Sequence, residues 1–166
     1  MIAEVGVGRT THRAIAARAG VPLGATTYYF PTLGDMVAAG LTEANRALDA
    51  ELKHWADRLG DGTDLPNRIT DLLSEYLHDH ARALTECELY LAAARTDTLR
   101  PLARSWLHQL RDLLAPLVGN QSAWAIAALI DGITVQHLAT GEPLDRDTAK
   151  AAVVALTAAD RALGPQ

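Results

Sequence analysis

The chain has 166 residues, 49% of them apolar and 5% aromatic, with a single cysteine, Cys87, and a formal net charge of −5. This length supports one or two domains with a substantial core. One cysteine excludes an internal disulfide framework, and the lack of a long apolar run or a basic-then-apolar leader points to a soluble, cytoplasmic protein without a membrane segment.

The charge is distributed unevenly. Residues 1–34 carry Arg9, Arg13 and Arg18 against Glu4 alone, a net +2, while residues 35–166 carry 12 basic and 19 acidic side chains, a net −7. Such asymmetry would orient the chain on a polyanion by its N-terminal part.

Met1 to Val5 reads as the last turn of a helix ended by Gly6 or Gly8. The stretch from Arg9 to Phe30, RTTHRAIAARAGVPLGATTYYF, then reads as two short helices about a glycine-centred turn. Thr10 or Thr11 can cap the first through a hydroxyl oxygen that accepts a free first-turn amide. Gly20 stands where a left-handed residue should stop that helix, and Pro22 suits the start of the next. Ala16 is small where steeply crossing helices must approach, and Ile15 and Val21 supply apolar contact. This is the pattern of a helix-turn-helix whose second, DNA-reading helix is Leu23 to Tyr29.

Beyond Pro31, the spacing of Val37, Leu41, Ala44, Leu48, Leu52, Trp55 and Leu59 predicts one long amphipathic helix from about Leu33 to Gly60-Asp61-Gly62. Asp64 can cap a helix with Pro66 in its first turn and Leu65, Ile69, Leu72, Leu73, Tyr76 and Leu77 inside. Ala81 to Arg95 is expected to bury Leu84, Cys87, Leu91 and Ala94. Asp97 or Thr98 opens a helix striped by Leu99, Leu102, Trp106, Leu110, Leu113 and Leu117, which Pro116 should end or kink. Ser122 to Thr140 is apolar nearly throughout and should be the most buried helix. Asp147 precedes a last helix with Ala149, Val153, Leu156 and Leu163 inside. No strand pattern or repeat is visible, so the fold class is all-α.

The run RTTHRAIAARAGVPLGATTYYFPTLGDM resembles the DNA-binding domain of tetracycline-repressor (TetR) type transcriptional regulators. The matching elements are Thr10/Thr11, Ala16-Ala17, Ala19-Gly20-Val21, Leu23 to Thr27, Tyr28-Tyr29, Phe30 and Pro31, so the motif covers residues 1–40. The remaining helices agree in number, length and order. The chain departs from the family pattern in carrying only the last turn of a first helix before Gly6. It also has Leu33 where a phosphate-binding Lys is frequent, and Leu23 where a basic or polar residue is common.

The resemblance implies a helix-turn-helix domain over 1–40 and a helical ligand-binding and dimerisation domain over 41–166. It implies a homodimer on a double-stranded DNA operator, paired through Ser122–Thr140 and Asp147–Leu163. A small-molecule effector, its identity open, would release this repressor from its operator. For the groove-facing residues the expectation is Leu23, Ala25, Thr26, Thr27 and Tyr28, since Thr can bond base edges and methyl groups can touch the thymine methyl. Thr10, Thr11, Arg13 and Tyr29 are placed for phosphates, and Phe30 for packing between head and long helix.

Tyr76, His80, Tyr90, Trp106, Gln109 and His137 are amphipathic groups on or beside apolar faces, and together they suggest a ligand cavity. His78-Asp79-His80 is read as no metal site, because residues two apart on a helix face away from each other. Cys87 is read as core rather than redox sensor. No catalytic constellation, metal ligand set or cofactor loop stands out, so no enzymatic activity is expected, although dispersed sites in a small helical enzyme leave no such pattern. The alternative function is a helical ligand- or partner-binding protein that has lost DNA binding through a shortened N-terminus.

Overall fold

The computed structural model describes residues 1–163, with side chains described throughout except at 47–49 and 159–163. The expected inward positions Leu48 and Leu163 therefore lie outside the described side chains. Among the described residues the secondary structure is helical with no strand. The helices are α1 (Ile2–Val5), α2 (His12–Ala19), α3 (Leu23–Tyr29), α4 (Leu33–Leu59), α5 (Leu65–His78), α6 (His80–Arg95), α7 (Arg100–Val118), α8 (Asn120–Thr140) and α9 (Arg146–Leu163). Short 3-10 turns, Val7–Arg9 and Asp97–Leu99, precede α2 and α7.

Local chemistry explains most boundaries. Thr11, not Thr10, caps α2 by accepting the Ala14 amide at 3.1 Å. Gly20 closes α2 in the left-handed region at φ 67°. Pro22 stands just before α3 rather than within it. At the head of α4, Thr32 accepts the Asp35 amide at 3.1 Å while the Asp35 carboxylate accepts the Thr32 amide at 3.0 Å, a reciprocal capping box. Asp64 precedes α5, but its carboxylate accepts from Asn67 and does not cap. Asp79 breaks the chain between α5 and α6 and caps α6 through the Arg82 amide. His78 and His80 thus belong to different helices, so helical spacing does not govern them. Pro116 lies inside α7, which runs on to Val118. The last helix starts one residue before Asp147, with Asp145 accepting the Thr148 amide at 3.0 Å.

Two apolar clusters hold these helices. The larger joins the C-terminal half of α4 to α5, α7, α8 and α9 around Trp55, Leu59, Ile69, Leu72, Leu114, Ile126 and Val153. The smaller joins the start of α4 (Val37, Leu41) to α6 (Leu89, Ala92, Ala93), Leu99 and Trp106, with Ile2 and Val7 packed against it. The N-terminal head is therefore tied to the body through α4 and α6 together.

Two expectations about burial need correction. On α6 the buried residues are Ala83, Leu89, Ala92 and Ala93, whereas Leu91 and Ala94 are exposed and Leu84 and Cys87 only half-buried. The helix is rotated because Glu86, which reads as a surface residue, faces inward to bonded partners. Helix α8 is not the most buried one. Ile126, Ala127 and Ile130 are inside, but Trp124, Ala128 and Val135 form an exposed apolar stripe. In the head, Val21 is exposed too, and Ala16 with Thr10, Thr26 and Met36 fills the interior instead.

Candidate DNA-reading head and effector cavity

The helix-turn-helix presents α3 to solvent. Tyr28 is 80% and Tyr29 73% exposed, their rings in edge-to-face contact at 5.2 Å. Leu23 and Thr27 are exposed on the same helix, and Ala25 is half-buried. Thr11 and Arg13 are exposed on α2. Two of the expected DNA-facing residues point elsewhere. Thr10 is 2% exposed and donates its hydroxyl to the Gly6 carbonyl at 2.8 Å; Thr26 is 7% exposed and donates to the Leu23 carbonyl at 2.8 Å. Both hydroxyls are buried within the head, whereas the Thr27 hydroxyl, which also donates to its own helix at the Gly24 carbonyl (3.2 Å), stays exposed. Arg18 forms a two-pronged pair with Glu4 at 2.5 and 2.8 Å, which leaves Arg9 and Arg13 as the head's unengaged guanidiniums among the described residues.

The body holds a cavity of about 60 Å³ between α4, α5, α6, α7 and α8. So small a space takes an aromatic guest only if the walls part. Trp55 on α4, Tyr76 on α5, Tyr90 on α6 and Trp106 on α7 supply aromatic faces. Glu51, Arg82, Glu86 and Asp131 supply charge. Arg82 pairs with Glu51 at 3.0 Å and Glu86 at 3.4 Å and lies over the Tyr76 ring at 5.5 Å. The Tyr76 hydroxyl donates to Glu86, so one buried network staples α4, α5 and α6 at the cavity wall.

Of the expected ligand residues, Tyr76, Tyr90 and Trp106 line this cavity and three do not. His80 is exposed at the start of α6. Gln109 contacts Ser105 at 3.4 Å on its own helix. His137 sits in a separate groove between α8 and α9, its ring nitrogen 2.7 Å from the Glu142 carbonyl. Glu86 and Asp131 were missed. Asp131 carried a readable signal, as the only Asp, Glu, Lys or Arg in α8. Glu86 carried none, because its inward orientation depends on Tyr76 from another helix. Cys87 lines the cavity rather than the core, and burial, then the charges of Glu86, Asp131 and Glu88, push its thiol up to about 11.

Burial pushes the Glu86 carboxyl up to about 7, against the opposing influence of the Tyr76 bond and Arg82. Burial pushes Asp131 up to about 6, opposed by Arg111. Both are raised, so the folded protein holds protons that the unfolded chain has released. Their stabilising contribution is complete below the ordinary carboxylate range, around pH 4, and is lost as pH rises through about 6 to 7. Asp131→Asn removes one such charge isosterically. The ligand-free variant is expected to melt roughly 2–6 °C above the parent at about pH 8, with a flatter decline from about pH 5. Melting below the parent at the higher pH would mean that the ionised carboxylate has a stabilising partner.

Residues 60–159, more than half the chain, match the family described as tetracyclin repressor-like, C-terminal domain. The chain belongs to the tetracycline-repressor family. A TetR-family protein from Streptomyces coelicolor A3 superposes with a TM-score of 0.81 at 35% identity, over 93% of this chain and 92% of that one. The multidrug binding protein EbrR, complexed with ethidium, superposes at 0.82 with 36% identity over 93% and 91%. An uncharacterized HTH-type transcriptional regulator of Mycobacterium tuberculosis is 33% identical over 129 residues, 73% of this chain. The chain spans 64% of the length of that relative. Among the described residues, no helix of this TetR-family chain is long and apolar enough to cross a membrane.

Proposed function

We propose that the chain is a ligand-responsive transcriptional regulator that binds operator DNA as a homodimer and is released by a small molecule in the α4–α8 cavity. The observation that carries this reading is that two of the five helices walling the cavity, α4 and α6, also pack against the N-terminal head. Helix α4 runs from Val37 and Leu41 beneath the head to Glu51, Leu52 and Trp55 in the cavity wall. Helix α6 lines the cavity with Arg82, Glu86, Cys87 and Tyr90, while Glu88 on its other side accepts the Val7 amide at 3.0 Å. That the similar protein EbrR is complexed with proflavin, ethidium and malachite green supports a small-molecule effector for this chain.

In this reading Leu23, Ala25, Thr27 and Tyr28 meet the major groove, and Thr11, Arg13 and Tyr29 meet phosphates. Helices α8 and α9 pair with their counterparts in a second chain. In vitro selection from random duplexes is expected to enrich a two-fold symmetric site, since two identical heads read two half-sites. No enrichment over nonspecific duplex would favour a protein that binds ligand but not DNA.

Glu88 is the proposed link in the coupling. Gly6 permits the close approach, since a Cβ there would stand 3.1 Å from the Glu88 carboxylate. Side chains two apart on a helix face nearly opposite ways, so a guest that displaces Glu86 and Tyr90 also displaces Glu88. Glu88→Ala should leave ligand affinity within about twofold while bringing the ligand's effect on operator affinity close to none. Retention of the full effect would assign the coupling to α4 alone.

A further inference from the structure

The charge balance of the cavity goes one step beyond its role as effector site, on which the following rests. Three carboxylates line it, Glu51, Glu86 and Asp131, against one guanidinium, Arg82. Arg82 is shared by Glu51 and Glu86, and Glu86 also accepts the Tyr76 hydroxyl. Asp131 makes no hydrogen bond or ion pair among the described residues. The opposing charge acting on it is that of Arg111, which is not part of the cavity lining and lies over the Trp124 ring at 5.6 Å. One helical turn from Asp131, Thr134 is 4% exposed, and its hydroxyl faces the cavity without a partner. An isolated carboxylate and an unanswered hydroxyl thus stand together on the α8 wall of a cavity that Tyr90 of α6 and Trp106 of α7 also line.

Burying an unpaired carboxylate is costly, and so is leaving a buried hydroxyl without a bond. A guest that supplies positive charge beside Asp131 and flat rings against Tyr90 and Trp106 removes the first cost and gains cation–aromatic attraction. An uncharged guest leaves the first cost in place even if it bonds Thr134, and an anion adds repulsion from three carboxylates. We propose that the cavity selects aromatic cations, with the guest's positive charge set beside Asp131 and its rings against Tyr90 and Trp106. Thr134 serves as a positioning acceptor for a guest N–H.

The test compares ethidium, whose charge does not titrate, with its dealkylated, uncharged parent phenanthridine, by calorimetry on the intact protein in the absence of DNA. The cation is expected to bind at least ~10-fold tighter than the uncharged parent. In Asp131→Asn that preference should fall to about twofold or less through weaker cation binding, with the uncharged parent unaffected. Glu86→Gln, whose charge is already answered by Arg82, should retain most of the preference. Equal binding of both compounds by the unmodified protein would overturn the charge selection while keeping the cavity as the effector site. Failure of both to bind would overturn the site itself. An undiminished preference in Asp131→Asn would overturn the assignment of the counter-charge to Asp131.

Discussion

Replacing Tyr28 with alanine is expected to weaken binding to the selected operator by roughly 30- to 1,000-fold, with the helical content and melting temperature unchanged. The side chain is 80% exposed and touches mainly the neighbouring Tyr29 ring, so its removal leaves no cavity. A lost groove contact costs about 1–2 kcal/mol, and a dimer loses it twice. Arg13→Ala should behave differently. A lost phosphate contact weakens every sequence alike and reduces the salt dependence by about one counterion per chain. Anisotropy titrations against operator and scrambled duplexes at several salt concentrations separate the two. If Tyr28→Ala weakened both duplexes equally, Tyr28 would be a phosphate contact and the base reading would fall to Leu23, Ala25 and Thr27.

A second large effect is expected on the exposed face of α8 and α9. Trp124, 55% exposed, and Val135 flank Ala128 and Gly132 on α8, while Val154 and its alanine neighbours face outward on α9. Apolar side chains flanking small ones suit close helix packing, and exposed Trp and Val side chains on neighbouring helices suit a covered face. Trp124→Glu combined with Val154→Glu should halve the particle mass in light scattering and lower operator affinity by about 1,000-fold or more, because the second head no longer binds intramolecularly. Circular dichroism should show the helices intact, since both side chains lie outside the single-chain core. A variant still dimeric at micromolar concentration would place the pairing on another face.

These expectations rest on features that differ in how far the sequence exposes them. Helix ends set by local chemistry are the more readable: Gly20 is legible as the stop of α2, while the choice between Thr10 and Thr11 as its cap and the Thr32–Asp35 box at the head of α4 emerge only with the structure. Direction is harder to read. A threonine turned into the head has the same sequence signature as one turned to solvent, which is why Thr10 and Thr26 look as available as Thr27 and are buried instead. The inward turn of α6 depends on Tyr76 and Arg82 meeting Glu86, and no periodicity within residues 80–95 reports that meeting. The apolar character of α8 was legible, but it has two causes, a core face and an exposed stripe, that composition alone does not separate. Asp131 is the opposite case, a lone charge in an apolar helix and therefore visible before any coordinates.

The unfavourable burial of Glu86 and Asp131 also fits a protein built to change state. Charges that destabilise the empty cavity are relieved when a suitable guest enters, so the binding energy available for shifting the heads is larger than the contacts alone provide. The narrowness of the cavity acts in the same direction, because an aromatic guest must move α6, α7 or α8 to fit.

The most direct test is an anisotropy titration of the selected operator duplex, with and without a saturating aromatic cation such as malachite green, after subtraction of the dye–duplex blank. Two chains per duplex are expected, with a loss of operator affinity of about 5- to 150-fold when the cavity is filled. Unchanged operator affinity, with calorimetry showing the dye bound and Asp131→Asn weakening it, would contradict the claim that this cavity controls the DNA-reading heads.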